Sequence, residues 1–367
     1  MRITLLGAGH IGQTIAHLLA TAGDYELTVL DQDAAALARL RALPLVARVA
    51  DTADPAALVR ELHGQQAVVN ALPYHLAIPA ATAARTAGCH YFDLTEDVAA
   101  TQAIRRLADD APVAFMPQCG LAPGFIGIVA HHLAQGFEKL HEVKMRVGAL
   151  PAFPTNALKY NLTWSVDGLI NEYCHPCEAI HEGRRIEALP LEGLEHFSLD
   201  GVEYEAFNTS GGLGTLCDTL AGRVQTLDYK SVRYPGHRAL MQVLLDELQM
   251  KHDVQTLKAI LRRAIPSTMQ DVVLVFVTVA GLRDGVLLQE VFARKVFAER
   301  GDGAALPAQS AIQITTAAGI CAAVDLFRAG LLPQRGFIRQ EQVPLPAFLA
   351  NRFGQAYQQS RQVQSIG

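Results

Sequence analysis

Gly7-Ala8-Gly9-His10-Ile11-Gly12 carries glycine at the three positions where a pyrophosphate-binding turn needs it. Gly7 supplies the tight turn, Gly9 lets the backbone approach the phosphates, and Gly12 lets a helix pack against a strand. The helix opening at His10 and Ile11 offers free N–H groups and a partial positive charge. Asp31 ends the next apolar strand, where a carboxylate accepts hydrogen bonds from the ribose hydroxyls and repels a 2′-phosphate. Together these features predict NAD rather than NADP. Asp31 could instead cap the following helix, but Asp33 is placed for that task.

Further candidates lie at later strand ends. Asn70-Ala71-Leu72-Pro73 closes a strand on the rim where open parallel sheets bind ligands, so Asn70 can reach the cofactor ribose or nicotinamide. A plain strand-to-helix turn is the other reading. Tyr74 and His75 follow, His75 being either catalytic or simply an early helix residue. Asp93 and Thr95 sit on the same rim, as site residues or as helix caps. Gln118 to Gly124 could receive a carboxylate or the nicotinamide amide, or could serve as a hinge. In Arg233-Tyr-Pro-Gly-His237, the guanidinium could clamp a substrate carboxylate and the imidazole could move a proton. A surface salt bridge and a helix-start histidine are the alternatives there.

Two features point to less. Cys174-His-Pro-Cys177 has redox spacing, but it follows a helical pattern and precedes a strand, the reverse of a thioredoxin-type site. No second pair stands at zinc spacing, and no metal is predicted. Asp167, Asn171 and Glu172 could meet a substrate ammonium; by default they read as polar residues on a helix surface.

Strands at 2–6, 25–30, 45–49, 67–71, 89–94 and 113–116 alternate with helical patterns. They predict an α/β fold, a Rossmann-type doubly wound parallel sheet over residues 1–120. From about 140 the strands lengthen and join at turns such as Asp200-Gly201 and Asp284-Gly285, which predicts an α+β domain over 121–307 with a mostly antiparallel sheet. A helix at 308–330 should pack back onto the first domain, leaving 331–367 as a C-terminal extension. Substrate sites in such proteins form in the cleft between domains.

The chain has 367 residues, half of them apolar, and a net charge of −5. That balance suggests neither nucleic acid nor a membrane surface as partner. The apolar run before Gly7 is too short for a signal peptide, and Val272–Leu282 is too short to span a bilayer. A cytoplasmic location is expected, with the six cysteines reduced.

The glycine loop with Asp31, Val69–Pro73, Ala87–Thr95, Cys119–Gly124, Thr163–Tyr173 and Val232–His237 together resemble the saccharopine dehydrogenase-like family, and within it the lysine 6-dehydrogenases. The resemblance covers most of the chain to about residue 240. It implies a Rossmann domain, an α+β catalytic domain and usually a homodimer acting on a small amine or amino acid. The implied reaction is NAD-dependent oxidative deamination of the ε-amino group of L-lysine. Its products are ammonia and 2-aminoadipate 6-semialdehyde, which cyclises to piperideine-6-carboxylate. In that reaction His237 and Asp93 would be catalytic, with Arg233, Tyr74 and Thr95 on the substrate. A saccharopine- or carboxynorspermidine-type dehydrogenase and a non-catalytic NAD sensor are the alternatives.

Overall fold

Ile3, Leu5 and Leu6 of the first strand are wholly buried, the near-continuous apolar run of a strand covered on both faces. The computed structural model describes residues 1–301 and 308–358. From the N-terminus come β1 (Arg2–Leu6), α1 (His10–Thr21), β2 (Glu26–Asp31), α2 (Ala34–Ala38), β3 (Val46–Val49) and α3 (Pro55–Leu62). Then come β4 (Ala67–Asn70), α4 (Ala77–Ala87), β5 (His90–Asp93), α5 (Val98–Ala108), β6 (Ala114–Met116) and α6 (Phe125–Ala134). Every pairing among these six strands is parallel. The helices cover the sheet through small residues such as Ala80, Ala81 and Ala84 of α4.

The second group of elements begins with β7 (Lys139–Pro151), α7 (Val166–Cys174), β8 (Cys177–His181), β9 (Arg184–Ala188), β10 (Glu195–Leu199) and β11 (Val202–Asn208). It continues with α8 (Leu216–Leu220), β12 (Val224–Arg233), α9 (His237–Gln242), α10 (Val254–Ala264), β13 (Asp271–Arg283) and β14 (Val286–Phe297). The main path of its sheet runs β10-β11-β12-β7-β13-β14, and the β8–β9 hairpin pairs with β12. All pairs are antiparallel except β12 with β7. Both expected hairpin turns form, with positive φ at Asp200 and Gly201 and at Asp284 and Gly285, as a two-residue turn of this hand requires. Val273, Val275, Val277 and Val279 alternate into one fully buried face of β13. A second core gathers Leu169, Phe207, Met241, Leu257 and Leu261, each buried side chain of this size contributing about 1.5–3 kcal/mol.

The chain closes with α11 (Ala311–Arg328), β15 (Gly336–Phe337) and α12 (Leu345–Ala350). Among the described residues it forms two compact units, 1–128 with 313–356, and 129–301 with 308–312 and 357–358. α11 is long and apolar enough to cross a bilayer, yet 89% of that window is buried within the protein. The reading of 331–367 as an extension needs correcting for its described part. Gly336 and Ile338 donate backbone hydrogen bonds to Val113 and Phe115, so β15 joins β6 as a seventh parallel strand, in the order β15-β6-β5-β4-β1-β2-β3. Two residues of strand, one of them a glycine, carry too little periodicity to be read in advance.

Candidate functional site

The glycine loop has the geometry a dinucleotide needs. Gly7 has φ +96°, and a Cβ there would lie 3.0 Å from the Ala71 carbonyl oxygen. A Cβ on Gly12 would lie 2.0 Å from the Gly7 carbonyl oxygen, so only glycine lets α1 start this close to β1. Around Gly9 a Cβ would meet nothing within 4 Å, which leaves room for a phosphate. The first turn of α1, starting at His10 and Ile11, carries no acidic residue. Its leading N–H groups have no intrahelical acceptor and favour an anion. These features fit a nicotinamide dinucleotide, which Gly7, Gly9, His10, Ile11 and Gly12 would hold.

Asp31 closes the loop. One carboxylate oxygen accepts the Ala8 N–H at 2.6 Å and the other the Asp33 N–H at 2.8 Å. Asp33 in turn caps α2 through the Ala35 N–H, which is the division of labour the sequence suggests. A carboxylate has about four acceptor sites, so each oxygen of Asp31 retains capacity for a ribose hydroxyl.

At the end of β4 the expectation for Asn70 is corrected. Its amide is buried, donating to the Tyr91 hydroxyl at 2.9 Å and accepting from the Leu72 N–H at 3.0 Å. Asn70 therefore shapes the backbone of Ala71, Leu72 and Pro73, which lies against Gly7, and its own amide does not reach outward. Tyr74 is half-buried in the short 3₁₀ turn that follows, edge-on to the exposed His75.

Asp93 is corrected as well. It is 1% exposed. Its Oδ1 accepts the N–H groups of Thr95 and Gln118, and its Oδ2 accepts the Tyr91 hydroxyl at 2.9 Å. Burial pushes its carboxyl up to about 6. With both oxygens engaged inside the fold, Asp93 organises the β5 and β6 ends and is not placed to accept a proton from a substrate. Thr95 is buried too, its hydroxyl accepting the Asp97 N–H, while Asp97 caps α5. The Gln118–Gly124 segment lies in the same unit, where a Cβ on Gly319 of α11 would press on the Cys119 and Gly120 carbonyls.

In the second unit Arg233 ends β12 and His237 begins α9, as the sequence indicates. Arg233 is 3% exposed, and Nε donates to the Tyr173 hydroxyl at 2.8 Å while Nη1 donates to the Val232 carbonyl. Its guanidinium lies over the Tyr160 and Tyr173 rings, 5.1 and 5.7 Å from their centroids. Burial opposes its charge, but Tyr173, Tyr160 and Glu172 hold it protonated. Among the described residues Nη2 has no protein acceptor.

His237 is 1% exposed, with Nε2 3.1 Å from the Tyr173 hydroxyl and Nδ1 2.9 Å from the Leu158 carbonyl. The carbonyl can only accept, so Nδ1 carries the proton and Nε2 accepts from Tyr173. Burial, helped by the Arg233 charge, lowers its pKa to about 3. The expectation of His237 as a direct general base is corrected accordingly. Its one lone pair is occupied by the Tyr173 hydroxyl.

Glu205 of β11 was not singled out by sequence. It accepts the N–H groups of Gly236 and Arg238 at 2.8 and 2.6 Å and so caps α9 beside the site. Nothing local marks it, because its partners lie across the sheet. Tyr160 precedes the Thr163–Tyr173 segment and Tyr173 ends it, but both gain meaning only from Arg233. Of the α7 polar residues, Asp167 is the surface residue expected, paired with Lys258 and Arg262. Asn171 and Glu172 are buried instead, because α7 is enclosed on nearly every side.

The cysteine pair keeps its order, α7 ending at Cys174 and β8 starting at Cys177. Both thiols are free, and burial raises both, Cys177 to about 12. A thiolate is therefore scarce at neutral pH. The double variant Cys174→Ser/Cys177→Ala is expected to keep near-normal turnover and metal-independent folding. Activity that follows thiol redox state in the unmodified protein would contradict this.

Comparison with known proteins agrees with this geometry. Residues 3–115 match the saccharopine dehydrogenase NADP binding domain and residues 120–354 the saccharopine dehydrogenase C-terminal domain. The structure of a saccharopine dehydrogenase (L-Glu forming) from Saccharomyces cerevisiae is similar at a TM-score of 0.79 and 16% identity, over 96% of this chain and 98% of that one. A homospermidine synthase from Legionella pneumophila, in complex with NAD, is similar at a TM-score of 0.70 and 13% identity, over 97% and 89%. These structural likenesses establish a shared fold.

Proposed function

The chain belongs to the saccharopine dehydrogenase family of NAD(P)-dependent oxidoreductases, and from that premise we propose that it oxidises the ε-amino carbon of L-lysine with NAD. The observation that carries the cofactor assignment is the Asp31 carboxylate hydrogen-bonded to Ala8 of the glycine loop. It sets a negative charge where a 2′-phosphate would have to lie. Lysine as substrate rests on the motifs shared with lysine 6-dehydrogenases.

When bound, the nicotinamide supplies the hydride acceptor. The substrate ammonium would release a proton to solvent water, its carbon would pass a hydride to the nicotinamide, and one water would hydrolyse the resulting imine to the semialdehyde and ammonia. The semialdehyde then condenses with its own α-amine. Arg233 offers Nη2 to the substrate carboxylate, while its Nε side stays bound to Tyr173. Tyr173 is fixed from two directions, accepting from Arg233 and donating to His237. Burial raises its phenol well above the ordinary value, so it stays protonated and serves as a hydrogen-bond donor. His237 holds the Tyr173 hydroxyl, and Glu205 holds the start of α9 that carries His237.

NAD is expected to bind much more tightly than NADP, and Asp31→Ala should narrow the gap by roughly 1.5–3 kcal/mol, one charge-assisted hydrogen bond. Calorimetric titration of both cofactors decides this, and equal affinities in the unmodified protein would end the NAD assignment. The substrate is tested by offering lysine, ornithine, saccharopine and diamines with NAD, following NADH absorbance and ammonia. The likeness to homospermidine synthase favours a second reading, in which an amino donor and a carbonyl compound are joined or split. That reaction forms NADH from a secondary amine without free ammonia from lysine. A pure NAD sensor forms no NADH with any of these amines.

A further inference from the structure

Three carboxylates stand at the end of β5, in Asp93-Leu94-Thr95-Glu96-Asp97, and two of them are engaged within the fold. Asp93 accepts the Thr95 and Gln118 N–H groups and the Tyr91 hydroxyl, and Asp97 caps α5 through the Ala100 N–H. Glu96 lies between them, half-buried. Among the described residues its carboxylate takes no hydrogen bond or ion pair from any other residue. A carboxylate withdrawn from water without a partner is costly to keep charged. Burial accordingly pushes the Glu96 carboxyl up to about 7; its own backbone N–H works against this, and the charges of Asp97 and Asp93 add to it. The strand order sets Glu96 on the side of the sheet towards which the nicotinamide would extend. Asp31 at the end of β2 suits the adenosine ribose, and the glycine loop after β1 suits the pyrophosphate. A dinucleotide held there would run on towards β4 and β5, which pair side by side at Asn70 and Asp93.

We propose that Glu96 is the base through which the proton of the substrate ammonium passes to solvent. This rests on the lysine oxidation proposed above, and it fills a role for which Asp93 and His237 are already engaged. The carboxylate takes one proton from the nitrogen and releases it to water. The amine lone pair is then free to form the C=N bond as the carbon passes its hydride to the nicotinamide. The same carboxylate takes a proton from the water that adds to this carbon and hands it to the nitrogen. The C–N bond then breaks, and the departing ammonia takes up the hydroxyl proton.

In the unmodified protein kcat/KM toward lysine should fall below about pH 7 with the slope of a single ionisation. A glutamate in water would place that limb at about 4.3. Glu96→Gln should lower kcat/KM about 10²–10⁴-fold and abolish the limb, with NADH affinity and melting temperature kept. Glu96→Asp retains a carboxylate and should recover part of the rate together with the limb. A rate that holds down to about pH 5 in the unmodified protein overturns the assignment without any variant. Near-normal turnover in Glu96→Gln, or a limb that stays in place there, overturns it while the lysine reaction stands. An unmodified protein that forms no NADH from any amine removes the reaction and its base together.

Discussion

Gly12→Ala is expected to weaken NADH binding at least about 100-fold and to lower the melting temperature. The added Cβ would lie 2.0 Å from the Gly7 carbonyl oxygen, so α1 must retreat from the loop. A misplacement of about 1 Å in a binding element is enough for a loss of about 10². Gly9→Ala is the informative partner, because its Cβ meets no protein atom within 4 Å. That variant should melt like the unmodified protein and yet lose affinity, since its methyl group occupies the phosphate approach. Fluorescence titration of NADH and thermal unfolding separate the two effects. If Gly9→Ala bound NADH normally, the loop would not be the cofactor site.

Arg233→Lys is expected to be the most damaging conservative substitution in the second unit. An ammonium cannot donate to Tyr173 from the Nε position, and it lacks the flat face that lies over Tyr160 and Tyr173. Loss of one charged hydrogen bond, about 1.5–3 kcal/mol, corresponds to a fall in kcat/KM of roughly 10–150-fold toward lysine. Cadaverine, which has no carboxylate, should suffer less, and equal impairment toward both amines would rule out the carboxylate role. His237 adds a readout that needs no substrate. Its pKa of about 3 in the fold lies below the ordinary value of 6.5, so between those values the unfolded chain takes up a proton that the native protein does not. Stability should therefore fall as pH drops below about 6.5, by up to about 1.4 kcal/mol per pH unit. His237→Asn should flatten that slope in urea unfolding at pH 4.5, 5.5 and 6.5. An unchanged slope would show that His237 is not held neutral.

The sequence discloses the parts of the site whose physics is local. Glycines spaced for a turn, Asp33 one residue before α2, and Asp-Gly at two hairpin tips all act within a few residues of themselves. The parallel strands are legible for the same reason, since burial on both faces leaves apolar runs that need no partner to be recognised. What the sequence hides is set by residues distant along the chain. Asn70 and Asp93 read as rim ligands because their strand ends were legible, but Tyr91 meets Asn70 across 21 residues and Gln118 meets Asp93 across 25, only in the folded sheet. His237 reads as a base because nothing near it announces that Tyr173 takes its lone pair across 64 residues. The parallel pairing of β12 with β7 was likewise invisible, since alternation specifies a strand's faces and not its neighbour's direction.

That parallel pair has a consequence for how the protein could change. Two parallel neighbours cannot be joined by a hairpin, so the chain must leave at Pro151 and return at Val224 on a long detour. Tyr160, Tyr173 and Glu205 all lie on the detour, whereas Arg233 lies on the returning strand itself. The register of β12 on β7 fixes the cation, and the surroundings of that cation come from a stretch whose length and composition the register does not constrain. Exchanging residues 152–223 for the corresponding stretch of a relative should therefore alter which amine is accepted while the anchoring guanidinium stays on β12 and the β12-β7-β13-β14 part of the sheet keeps its register.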